Sequence, residues 1–133
     1  MKKITIIIAL LIIVTSCVAT KQILFPYRKF ILLDSINKKP LENVTLFYTI
    51  PSDTLNERLE NRHTSNNNGR IIIPKLEISR GNNHNFKPYR EVKYVFKKEG
   101  YKTVAFNFFE YFKIDTPKEL RKRYKAKIYL VKE

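Results

Sequence analysis

Residues 123–131 alternate without a break: Tyr124, Ala126, Ile128 and Leu130 fall on one side of an extended chain, and Arg123, Lys125, Lys127 and Tyr129 on the other. Successive side chains leave a strand in opposite directions, so a two-residue period marks a strand with one face packed and one in water. Residues 91–97 repeat the pattern, with Val92, Tyr94 and Phe96 set against Lys93 and Lys97. Val44, Leu46, Tyr48 and Ile50 share a face in the same way, as do Val104, Phe106 and Phe108. Two apolar runs of strand length, Phe30-Ile31-Leu32-Leu33 and Ile71-Ile72-Ile73, extend the set. The three glycines, Gly69, Gly81 and Gly100, all fall between these segments, where turns need them. No stretch sustains a helical period of core length. The pattern predicts an all-β chain, a single seven-stranded antiparallel β-sandwich.

Within it, residues 30–34 and 44–50 read as a first hairpin closed by a polar turn that ends in Pro40. Residues 51–63 support two readings, a short helix carrying Leu55 and Leu59, or a loop or ragged edge strand. Residues 80–89 form a long polar loop, and residues 111–120 a connection with about one helical turn. A chain of 133 residues has room for one domain. With a single cysteine, Cys17, it cannot be stapled by internal disulfides. Apolar packing must hold it, for which 44% hydrophobic and 13% aromatic residues suffice.

That cysteine closes the amino-terminal segment. Lys2 and Lys3 precede an apolar run over residues 4–14, followed by Val14-Thr15-Ser16-Cys17. A charged start, a short apolar middle and small residues at the end are the parts of a secretory signal peptide. The run is shorter than the roughly 20 residues that a bilayer-spanning helix needs. The last four residues resemble the bacterial lipobox, which implies cleavage before Cys17 and acyl chains on the new amino-terminal cysteine. The expected organisation is therefore a signal peptide over residues 1–16, a lipidated tether over 17–28, and a sandwich domain over 29–133. The absence of acidic residues after Cys17 favours a lipid-anchored, periplasm-facing domain on the cell membrane or outer membrane. A net charge of +14 ordinarily suggests nucleic acid, but export removes that partner. Lipid head groups and anionic envelope polymers replace it.

Four segments then fit a known pattern. Leu32-x-Asp34, Pro40-Leu41-Glu42-Asn43-Val44-x-Leu46, Ser65-Asn66-Asn67-Asn68-Gly69-Arg70-Ile71 and Gly100-Tyr101 resemble the carboxypeptidase regulatory-like domain, a transthyretin-like (prealbumin-like) β-sandwich. The chain departs from that pattern at Asn66, where the family usually has aspartate, and at Phe30, where it usually has glycine. The resemblance implies no catalysis and no cofactor; such domains serve as binding modules, spacers or folding partners.

The residues agree in offering little chemistry. His63 and His84 sit in polar loops without the neighbours of a zinc site, and no metal is expected. Carboxylate pairs such as Glu57 with Glu60, or Glu110 with Asp115, are what chance gives in a charged chain. The candidate contact surface is Arg121, Arg123, Lys125 and Lys127, which on one strand would stand about 7 Å apart. Such a row meets an anionic surface or, as the simpler alternative, protects a sheet edge from aggregation. The sequence thus predicts a membrane-anchored, non-catalytic binding or scaffolding protein of the envelope. The alternatives are a subunit of an envelope assembly such as a secretion machine, or an inhibitor or immunity protein acting through its long loops.

Overall fold

The computed structural model describes residues 21–51, 58–79 and 90–133. The signal peptide, Cys17, His84, Glu57 and the loop over residues 80–89 lie outside the described residues. Within them the regular secondary structure is mostly β, with few helical residues. Nine strands run in the order β1 (Lys21–Phe25), β2 (Tyr27–Asp34), β3 (Thr45–Pro51), β4 (Arg58–Thr64), β5 (Arg70–Ile73), β6 (Leu76–Ser79), β7 (Lys93–Lys97), β8 (Val104–Asn107) and β9 (Arg123–Leu130). A single helical turn, α1 (Phe108–Tyr111), and a 3₁₀ helix (Pro117–Arg121) link β8 to β9. The Asn107 side chain accepts from the Glu110 N–H and so caps α1.

The strands form a four-stranded sheet, β4-β3-β7-β8, a three-stranded sheet, β5-β2-β9, and a two-stranded ribbon, β1-β6. The two larger sheets turn their apolar faces toward each other. Phe30 of β2 meets Tyr94 and Phe96 of β7 edge-on, with centroids 5.9 and 5.2 Å apart. Leu32, Leu46, Ile71, Ile73, Ile128 and Leu130 fill the rest of the layer. The ribbon closes one end of the sandwich through Leu24 and Phe25, the latter packed on Phe109 and Tyr48.

The fold departs from the seven-stranded antiparallel expectation in several ways. Nine strands are present among the described residues, because Lys21–Phe25 and Leu76–Ser79 pair with each other. Strand is therefore already present at Lys21, ahead of the expected start at Lys29, and the described part of the expected tether is mostly strand. The pairing of β2 with β9 is parallel along its whole length, Tyr27 opposite Arg123 through Asp34 opposite Leu130. The expected first hairpin does not form. β2 pairs with β5 and β9, whereas β3 pairs with β4 and β7. Each of the two strands carries an apolar face, and stacking those faces across the core buries both, which pairing edge to edge would not. Residues 58–64 adopt the edge-strand alternative.

The four motif segments converge at the end where β2 leaves the sheet. Leu32 N–H donates to Gly69 O (2.7 Å), and Leu41 N–H to Leu32 O (2.9 Å). The buried Ser65 hydroxyl donates to Leu41 O (2.7 Å) and accepts from Val44 N–H (2.9 Å). Asn66 Oδ1 accepts from the Asn68 and Arg70 N–H groups (3.0 and 2.9 Å), holding the bend that Gly69 completes at φ +70°. The Asp34 carboxylate accepts from Ile36 and Asn37 N–H (2.8 and 3.1 Å) and from the Tyr101 hydroxyl (2.9 Å). Those backbone bonds, then the Tyr101 bond, hold its carboxyl below the usual range.

Candidate anion-binding face

The outward face of β5-β2-β9 is built by the same alternation that builds the core. On β9, Arg123, Lys125, Lys127 and Tyr129 are exposed, while Ile128 and Leu130 are buried. On β5, Arg70 and Ile72 point out and Ile71 and Ile73 in. On β2, Arg28, Phe30 and Leu32 are buried, leaving Tyr27, Lys29 and Ile31 on the outer side. The register brings these together: Lys125 lies beside Lys29, Lys29 beside Ile72, Lys127 beside Ile31, and Ile31 beside Arg70. Neighbouring strands are about 4.8 Å apart and alternate residues about 7 Å. Five cations thus share one small field, and no acidic residue stands among them.

Two of the expected contact residues change their company. Arg121 is not in the row; it ends the 3₁₀ helix, because Pro117 starts a helical turn that runs until Lys122 returns to extended backbone. Arg123 lies over the Tyr27 ring, 4.4 Å from its centroid, so part of its charge is used on an aromatic face. Lys125 and Lys127 are exposed on β9. Lys29, Arg70 and Ile72 were missed, since nothing in their own segments signals which strands flank them. Among the described residues β9 is also an edge strand of its sheet.

The face is not purely polar. Among the described residues the exposed large apolar side chains are Ile36 (78% exposed), Ile72 (53%), Tyr111 (49%), Val131 (45%) and Tyr129 (43%). All but Tyr111 belong to this sheet or its exit: Ile72 lies on β5, Tyr129 on β9, Val131 one residue beyond it, and Ile36 in the turn after β2. Lys38 of that turn lies 4.6 Å from the Tyr129 ring centroid.

The other described sites are poorer candidates. On the opposite sheet a hollow of about 430 Å³ is lined by Phe47, Arg62, Lys93 and Lys97, among others. Glu110 and Asp115 do come to one hollow, of about 470 Å³, but with Arg90 bonded to Asp115 at 3.3 Å and Lys113 on the same wall. Among the described residues no group of three His, Cys, Asp or Glu is placed to hold a metal. His63 stacks on Tyr48, rings 8° from parallel and Nε2 3.2 Å from the Tyr48 hydroxyl. Burial, and then the charge of Arg28, hold its pKa below the ordinary histidine value.

Arg28 itself is buried, 2% exposed, inside the aromatic end of the core. It donates to the Tyr94 hydroxyl and to Pro74 O (3.3 Å), and lies 5.0 Å from the Phe25 ring and 5.5 Å from that of Tyr48. Among the described residues its Nε has no hydrogen-bond partner. Rings on several sides replace a counter-ion, which holds a cation inside at lower cost than bare burial.

No family model matches the chain, and no curated protein matches its sequence. Solved structures do. The fold is similar to that of 3-chlorocatechol 1,2-dioxygenase from Rhodococcus opacus 1CP, with 14% identity and a TM-score of 0.52 over 88% of this chain. The chain spans only 62% of that enzyme's length. The C-terminal domain of the shaft pilin spaA from Lactobacillus rhamnosus GG is also matched, with 12% identity and a TM-score of 0.40, over 86% of this chain and 99% of that one. At such identity the dioxygenase likeness is one of fold alone.

Proposed function

We propose that the protein is an exported lipoprotein held at the cell envelope by acyl chains on Cys17, with a non-catalytic, carboxypeptidase regulatory-like sandwich as its binding module. Its working surface is the outward face of β5-β2-β9, turned toward an anionic envelope surface. The charged start, the short apolar run and Val14-Thr15-Ser16-Cys17 support the location. In support of the module, Ser65 and Tyr101 bond across to Leu41 and Asp34 of other motif segments, while Asp34 and Asn66 also hold the turns of their own.

The observation that carries the binding role is Lys29 standing beside Lys125 on adjacent strands. Like charges opposite each other destabilise a sheet, and packing places no demand on an outward position. An anion that spans both converts the repulsion into attraction. Replacing Arg123, Lys125 and Lys127 by glutamate should abolish co-sedimentation with anionic vesicles and with anionic envelope polymer; binding equal to wild type removes the role. The anchor is tested separately by the mass of the amino-terminal peptide from the native host, where an unmodified Met1 end removes it.

A further inference from the structure

Resting on that reading, we propose that the β5-β2-β9 face docks onto the anionic bilayer itself, with Ile72 and Tyr129 entering the interfacial layer among the head groups that Lys29, Arg70, Lys125 and Lys127 engage. Two observations beyond the charge select a bilayer over a soluble polyanion.

The first is the mixed character of the face. A dissolved polyanion offers phosphates or carboxylates and no apolar phase, so exposed aliphatic side chains on its contact surface would gain nothing. A membrane interface offers both: phosphates at one depth and hydrocarbon a few ångströms below. Surfaces that bind there combine lysine and arginine with large apolar residues, and tyrosine is at home at that depth because its ring is apolar and its hydroxyl polar. Here Ile72 stands beside Lys29, and Tyr129 two positions along from Lys127. With Ile36 and Val131 at the exits of β2 and β9, they account for all but one of the exposed large apolar side chains among the described residues.

The second is reach. β1 begins at Lys21, so at most Val18, Ala19 and Thr20 stand between an anchor on Cys17 and folded structure. At full extension that link spans roughly 14 Å. A domain so tethered stays against the leaflet that holds it, and a second weak contact to that leaflet becomes nearly intramolecular.

The chain contains no tryptophan, so a single Ile72→Trp substitution reports on this face alone. Tyr129→Trp is a second reporter, and Tyr111→Trp, exposed but on α1, is the control. The full chain is added to vesicles of phosphatidylcholine, with or without phosphatidylglycerol, and to soluble polyphosphate. The emission of Ile72→Trp should shift to the blue and be quenched by brominated acyl chains in the anionic vesicles only, with Tyr111→Trp unchanged. Adding Lys29→Gln or Lys125→Gln should lower the ratio of docked to undocked protein about five-fold per charge, the equivalent of about 1 kcal/mol for each basic residue at an anionic surface. An Ile72→Trp and Tyr129→Trp signal that is the same in both vesicles, or that responds to polyphosphate and is not quenched by brominated lipid, overturns the docking. A protein that is acylated at Cys17 but shows no quenching loses the docking and keeps the anchor. One that is quenched but unmodified at Cys17 keeps the docking and loses the anchor.

Discussion

At Gly69 there is no space for even one more carbon. A Cβ would lie 2.5 Å from the carbonyl oxygen of Leu32, and the backbone there is held at φ +70° by the bond that Leu32 N–H makes to Gly69 O. Gly100 has an equally left-handed backbone, φ +80°, but open space around it. Gly69→Ala should therefore cost at least about 2 kcal/mol, strain and collision together, and Gly100→Ala only about 1 kcal/mol, the conformational part alone. Denaturant midpoints of the two variants measure the difference. His63 is a second site where one side chain sets a bulk property. The unfolded chain takes up its proton near pH 6.5, whereas burial and the Arg28 charge delay protonation in the folded state. The unfolded state then binds more protons, so stability falls as pH drops through about 6.5 toward the folded value and levels off below it. The melting temperature should follow that slope between neutral and mildly acid pH, and His63→Gln should flatten it.

The alternation of β9 was legible because its residues are the unit that repeats: every second one is buried or half-buried and the others are exposed. What the alternation does not encode is which strand lies alongside, and that decides the site. Phe30-Ile31-Leu32-Leu33 reads as an undivided apolar run, so the outward position of Lys29 was hidden until β2 was seen between β5 and β9. Ile71-Ile72-Ile73 concealed its exposed middle residue for the same reason. The register makes a specific statement about energy. Lys125→Glu would replace the repulsive pair with Lys29 by an attractive one, so the isolated protein should gain a few tenths to about 1 kcal/mol of stability while its binding to anionic vesicles falls. A stability gain measured by denaturation together with a loss in sedimentation is the expected signature. If the charges served only to protect a sheet edge, glutamate would serve as well, and binding would not change.

For the molecule as a whole, the motif residues located the fold better than they located the function. Leu32, Asp34, Pro40, Ser65, Gly69 and Tyr101 are far apart in sequence yet meet at one end of the sandwich. Turn chemistry is local and so is visible in a sequence; the parallel union of β2 with β9 is not, since it depends on contacts between segments almost a chain length apart. Tyr101→Phe should cost about 1 to 2 kcal/mol by removing the donor to Asp34, and removal of residues 123–133 should abolish cooperative thermal unfolding altogether. The latter follows from where β9 sits: β2, in the middle of its sheet, has the carboxyl-terminal strand as a full-length neighbour. Until β9 has been made, the central layer is missing a side and cannot lock, however much of the chain before it is already in place.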